Sequence, residues 1–346
     1  MSRRQQIAVV LGLSVSVIFL AFAFRNLQPQ TVLETMGQVN VLWLLVGAVV
    51  YFGAVALISL RWQFLLRAMK LVPLTSLIPL VSIGYMGNNV YPFRSGEALR
   101  IYLLQRNHRI PIVRATTTVL VERVFDGLVM LTFILVPLAL LEIASSEIRA
   151  VATFAAPIFL AALAVFFALA LRPDLLRQLV RLLNRFLPGK IGDLVQKLGE
   201  EIIGGLEGLR SPAQLAGAVI SSYASWSVEA LVYWIVAGAF GLDLSYIAIL
   251  LVVGTVNLAG LIPASPGQIG VYEFFVSLVL VALGVEETTA LGYALVVHLV
   301  IWLPVTLVGF YFLARQGLNF TAIAQAREIE EQAAEKAADP VAMNQR

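Results

Sequence analysis

The chain has 346 residues, of which 60% are hydrophobic and 13% charged, and a mean hydropathy of +0.88. That composition excludes a soluble globular protein and points to a polytopic membrane protein. There is no cysteine, so disulfide and thiol chemistry are excluded, and the two histidines lie too far apart in sequence for a zinc-type cluster. No metal or other cofactor is expected. The net charge of +3 comes from Lys and Arg gathered in loops, without a basic run interleaved with aromatics, which argues against a nucleic-acid partner.

Arg3 and Arg4 precede a first apolar span, Ile7–Phe24, read as a retained helix rather than a cleaved signal. Val41–Leu60 is a second span, closed by Arg61, Arg67 and Lys70. A hydrophobic stretch over residues 76–105 is then interrupted by Asn88, Asn89 and Pro92, and resumes with Arg94, Glu97 and Arg100. Ala115–Leu141 spans again and carries Glu122, Arg123 and Asp126. Val151–Leu171 is a further span. In residues 172–212 apolar residues recur at helical spacing between Arg172, Arg177, Arg181 and Arg185, the pattern of an interfacial amphipathic helix. Ala213–Phe240 spans. A second broken stretch, residues 244–284, contains Asn257, Pro263, Pro266, Gly267, Gly270 and Glu273. Thr288–Ala314 is the last span, and residues 316–346 form a charged tail expected on the cytoplasmic side.

Both broken stretches carry Pro-x-x-x-Gly-[Glu/Gln], at Pro92–Glu97 and Pro263–Gln268, 171 residues apart. If each is re-entrant, only Arg25 and Arg149 face outward, Arg123 lies within a span, and every other Lys and Arg falls on the cytoplasmic side with both termini. The expected architecture is therefore all-α, with about six full transmembrane helices and two re-entrant broken-helix hairpins. They belong to inverted repeats, 41–141 and 213–314, joined by the connector 172–212 within one membrane domain, 1–315. Matching broken helices in two inverted halves point to a transport site near the bilayer midplane.

Intramembrane polar groups are costly and persist where they face a cavity or a partner. Asn88 and Asn89 can bond the backbone freed by Pro92. Glu97 can pair with Arg94 or Arg100 along one helix face, or the two arginines can form a fork for a phosphate beside the new helix N-terminus. Glu122, Arg123 and Asp126 carry a negative excess that Arg94 or Arg100 can balance. Glu122 or Asp126 can otherwise bind a cation or proton. Glu229, near Trp226 and Trp234, and His298 add to a polar interior. No Gly-x-x-x-x-Gly-Lys-[Ser/Thr] phosphate loop is present.

Three ordered motifs carry a family resemblance: Asn88…Pro92-x-Arg94-x-Gly96-Glu97-x-x-Arg100, then Glu122-Arg123-x-x-Asp126, then Pro263-x-x-Pro266-Gly267-x-x-Gly270-x-x-Glu273. Over about residues 5 to 315 the chain resembles the lysylphosphatidylglycerol synthase transmembrane region family, the flippase-like membrane domain of multiple peptide resistance factor. Where that family usually has Pro-Gly-Gly, this chain has Pro266-Gly267-Gln268. The resemblance implies translocation of a phospholipid or polyprenyl-linked lipid between leaflets of a prokaryotic plasma (inner) membrane. It does not imply synthase activity, which belongs to an aminoacyltransferase domain that this sequence is expected to lack, so an enzyme is not expected. The alternatives are a membrane-embedded lipid-modifying enzyme and an accessory subunit of a lipid or glycan synthase. A homo-oligomer or a lipid-synthesis partner is compatible with either.

Overall fold

A computed structural model of the protein describes residues 3–25, 29–37, 39–91, 95–141, 172–184 and 189–317, with isolated positions between 157 and 168. The described residues are helical, with no strand among them. The helices are α1 (Arg3–Ala23), α2 (Pro29–Gly37), α3 (Val41–Leu66), α4 (Leu74–Val90), α5 (Ser95–His108), α6 (Ile112–Leu140), α7 (Pro173–Asn184), α8 (Gly189–Gly205), α9 (Pro212–Ala239), α10 (Tyr246–Ala259), α11 (Val271–Ala282) and α12 (Glu287–Arg315). Three of them, α3, α9 and α12, are long and apolar enough to cross a membrane. The expected span 151–171, Pro92 and Arg94, and the tail beyond residue 317 lie outside the described residues, apart from a few isolated positions in the span.

The outward faces of the long helices are apolar. Leu299, Leu303, Leu307 and Tyr311 recur every four residues along α12 and are exposed, as are Val41, Leu42, Leu45 and Val49 on α3. Such stripes suit lipid contact, while His298 and Thr306 are buried on the other side of α12. Inside, α3 packs along α9, α4 against α12 and α6 against α10. The two broken stretches each fold back as a helix pair, α4 with α5 and α10 with α11.

The α4–α5 crossing is unusually close. A Cβ placed on Gly96 would overlap the Gly84 carbonyl oxygen and the Asn88 amide, and one on Gly87 would meet the Gly96 Cα. Glycine on both helices lets the backbones touch. Asn88 Oδ1 accepts the Gly96 N–H at 3.0 Å, which satisfies one of the orphan amides at the start of α5.

Two expectations are corrected. The second span does not stop at Leu60: α3 runs on to Leu66, and Arg61 is fully buried rather than in a cytoplasmic loop. Its apolar neighbours Trp62, Leu65 and Leu66 are buried with it and extend the helix. The connector is two helices rather than one. α7 packs on α8, Arg177 pairs with Glu200 at 3.1 Å, and α8 docks on α6 through Arg114 and Glu201 at 2.7 Å. Pro188 and Gly189 punctuate the sequence between them.

Candidate functional site

Six charged side chains from three elements meet beside the first break. α6 supplies Glu122 and Asp126 on one face, one helical turn apart, and Arg123 next to them. Arg61 of α3 reaches Asp126 Oδ1 through Nη1 at 2.5 Å and Glu122 Oε1 through Nε at 3.7 Å. Arg100 of α5 donates Nη2–H to Glu122 Oε2 at 2.5 Å, with its guanidinium 4.8 Å from the centre of the Trp62 ring. Arg123 lies 3.3 Å from Asp126 Oδ2 and 3.7 Å from Glu97 Oε1. Trp226 of α9 donates its indole N–H to Asp126 Oδ1 at 2.7 Å, and Trp62 donates to Thr118 at 3.0 Å. Three arginines therefore face three carboxylates, and the network ties α3, α5, α6 and α9 together.

This arrangement revises the local pairing read from sequence. Glu97 and Arg100 do not pair with each other: Arg100 turns inward to Glu122, and Glu97 meets Arg123. Both are ties between the first hairpin and α6. The cations that balance α6 come from Arg100, one of the two arginines expected there, and from Arg61, whose sequence position suggests a loop. Arg61, Arg100 and Glu122 are at most 6% exposed at the side chain, whereas Arg123 is 42% exposed and opens onto a cavity.

That cavity has a volume of about 790 Å³ and lies between the two breaks. The first break lines it with Asn88, Asn89, Glu97 and Arg100, α6 with Arg123, and the second break with Asn257, Pro263, Pro266 and Gly267. Tyr51, Tyr85, Trp226, Glu229, Tyr233, Tyr272, His298 and Trp302 complete the wall. Its size is that of a site for a small molecule or a lipid headgroup. Gly96, Glu122, Asp126, Gly270 and Glu273 stand behind the wall and support it.

The second break is built differently. After α10, residues 260–270 turn without a charged side chain. Gly267, Gln268 and Gly270 have φ of 70°, 59° and 92°. The left-handed conformation of Gln268 is one that glycine adopts without strain. Here Gln268 instead donates its side-chain amide to Gly260 O at 3.1 Å. Glu273 accepts the Gly270 N–H at 2.6 Å and a contact from His298 Nδ1 at 2.6 Å, so it secures the start of α11. Ser16 of α1 accepts the Ser265 N–H at 2.9 Å, and a Cβ on Gly12 would crowd Ala264 O. Across the cavity, Asn89 donates to Thr306 Oγ1 at 2.8 Å, and its carbonyl lies beside Gly267. Asn257 spends its amide on Val253 O of its own helix, at 2.9 Å.

The chain belongs to the lysylphosphatidylglycerol synthase TM region family, whose model matches residues 9–309. Among similar proteins, Glycosyltransferase AglD of Haloferax volcanii is 26% identical over 86% of this chain, which spans 52% of that relative, about half its length. A UPF0104 membrane protein of Methanothermobacter thermautotrophicus is 23% identical, over 86% of this chain and 91% of its own. A UPF0104 membrane protein of Pyrococcus horikoshii is 20% identical, over 91% and 98%.

Proposed function

We propose that the protein translocates a phospholipid or polyprenyl-linked lipid between leaflets by admitting the headgroup to the cavity between the two breaks, while the acyl chains stay in the bilayer. The observation that carries this reading is the cavity itself: it is walled by both broken hairpins and has Arg123 and Glu97 on its surface. A headgroup moving through it escapes most of the desolvation cost of an unassisted crossing. The arginine assigned to the phosphate is Arg123, since Arg100 is committed to Glu122 and Trp62.

Packing supports an inverted repeat. Exchanging α3–α6 with α9–α12 turns the α4–α12 contact into α10–α6, and the α3–α4 contact into α9–α10, while α3–α9 maps onto itself. With the Lys and Arg distribution, that repeat supports a reading with six full spans, two re-entrant hairpins and cytoplasmic termini. The membrane domain is taken as residues 1–315.

The test is a leaflet assay in proteoliposomes with lipids labelled on an acyl chain. Protein-dependent loss of signal beyond the outer-leaflet half is expected, and Arg123→Gln, which removes a cavity-facing charge, is expected to slow it at least tenfold without unfolding the protein. Equal rates for both proteins would remove Arg123 from the site, and no protein-dependent loss for any lipid would reject translocation. The similarity to a protein named a glycosyltransferase favours one second reading, an accessory role in lipid-linked glycan synthesis. A new lipid product formed only with a co-purifying enzyme would select it.

A further inference from the structure

Over residues 246–282, which make up α10, the turn and α11, Glu273 is the one residue among Asp, Glu, Lys, Arg and His. Its side chain is 3% exposed and ties the second break to α12. One oxygen, Oε2, accepts the Gly270 N–H at 2.6 Å, and the other, Oε1, lies 2.6 Å from Nδ1 of His298. The His298 ring stacks on Tyr272 with centroids 4.0 Å apart, and Tyr272 hydrogen-bonds Tyr233. His298 lines the cavity, and its other ring nitrogen, Nε2, makes no hydrogen bond among the described residues.

The carboxylates beside the first break are answered differently. Glu97, Glu122 and Asp126 all face arginine, whereas Glu273 forms no ion pair with an arginine or lysine among the described residues. Arginine keeps its charge at any physiological pH, while histidine gains and loses a proton within that range. The charge of the first wall is therefore fixed, and that of the second break depends on whether His298 carries a proton. The other titratable groups around His298 add no free cation. Tyr51 of α3, Tyr85 of α4, Glu229 and Tyr233 of α9 and Tyr272 of α11 share the cavity wall with it. Tyr293 of α12 donates to Tyr233 O, Glu34 of α2 is exposed, and Arg61, Arg100 and Arg123 are held by the carboxylates of the first break.

We infer that His298 and Glu273 form a proton relay that couples movement of the second break to proton uptake from the cavity. With the carboxylate ionised, Nδ1 carries the hydrogen it donates. A proton from cavity water adds to Nε2, the Nδ1–H bond breaks, and that proton bonds to Glu273 Oε1. His298 ends neutral with its hydrogen on Nε2, and Glu273 ends as the neutral acid. The second hairpin then carries no charge and can part from α12 without leaving an ion unpaired away from water, the cost that otherwise holds it. What the movement drives rests on the translocation reading, but the relay is tested without transport.

The chain has two histidines, so His108→Gln leaves His298 as the one source of an imidazole signal. That protein, labelled with nitrogen-15 at histidine, is followed in lipid nanodiscs by magnetic resonance from about pH 9 to about pH 5. Nε2 is expected to gain a hydrogen as pH falls, and a ring that stays unchanged would overturn the relay. Movement is read from the rate at which a maleimide labels Ser265→Cys, divided by its rate with free N-acetylcysteine at the same pH. The normalised rate is expected to rise at least about fivefold over the same range. Glu273→Gln mimics the neutral acid and still offers an acceptor to the Gly270 N–H, so it is expected to label fast at both ends. His298→Gln is expected to label slowly at both. A flat rate in the parent, or the parent's pH response surviving in either variant, would overturn the coupling. If all of this holds and no lipid changes leaflet, the relay stands and translocation falls.

Discussion

The two breaks share a sequence pattern and differ in what holds them. The first is held by charge. Arg100 and Glu97, from the helix after the break, are tied to Glu122 and Arg123 of α6, and the Gly84–Gly87–Gly96 crossing locks α4 to α5. The second is held by single hydrogen bonds between side chain and backbone: Gln268 to Gly260, Gly270 to Glu273, and Ser265 to Ser16 of α1. Buried ion pairs cannot be opened cheaply, because each partner would be left unpaired away from water. Single hydrogen bonds to an uncharged turn contribute about 1 kcal/mol each. Under the proposed translocation, the difference makes the first break the fixed wall of the cavity and the second the part expected to move.

The comparison is broken most severely at Arg61. Arg61→Ala takes from Asp126 the shorter of its two arginine contacts and from Glu122 one of two, leaving Arg123 and Arg100, and is expected to destabilise the protein by about 3 kcal/mol, read as a lowered midpoint of thermal unfolding in detergent. A change below about 1 kcal/mol would mean that the network does not hold the first break. At the second break the expected effect is smaller. Gln268→Ala loses the bond to Gly260 and should cost about 1 kcal/mol, while Gln268→Gly should recover much of it by relieving the positive φ. Equal stability of the two variants would show that the turn is not strained.

The smallest effect is expected outside both breaks. Glu286 caps α12 by accepting the Thr288 and Thr289 N–H groups at 2.9 and 2.8 Å. Desolvation would raise its pKa, but the hydrogen bonds from Thr288 and Thr289 outweigh it and hold the pKa at about 2, below its ordinary value of 4.5. The lowered pKa means that the cap contributes fully above about pH 4.5 and is lost as pH falls toward 2. Glu286→Ala should therefore lower the unfolding midpoint slightly at neutral pH and make no difference near pH 2. A difference that persists there would refute the cap as its source.

Much of the scaffold was legible because local chemistry dictates it. Asn-Asn followed by Pro92, and Pro-x-x-Pro-Gly at residues 263–267, interrupt apolar runs that would otherwise form continuous helices. Arg61 was misread because Arg61, Arg67 and Lys70 resemble a loop's charge run. The buried Trp62, Leu65 and Leu66 were the available signal, but the partner that decides the matter, Asp126, lies 65 residues away. Glu97 and Arg100 are one turn apart, a spacing that suggests a local pair, yet tertiary partners on α6 compete successfully for both. Glu229 was seen as a polar residue within a span. That it stands outside the network of the six charges emerges only when three helices bring those six together.

Transport through a cavity with one fixed and one moving wall is tested most directly by pinning the second break. The chain contains no cysteine, so Ser16→Cys with Ser265→Cys introduces a single reversible pair where the Ser265 N–H meets Ser16 Oγ at 2.9 Å. Leaflet exchange of an acyl-labelled lipid is measured in the same proteoliposomes before and after reduction. Exchange is expected to be absent in the oxidised protein and restored on reduction. Equal exchange in both states would contradict a moving second break, and none in either state, with the wild-type protein equally inactive, would contradict transport through this cavity.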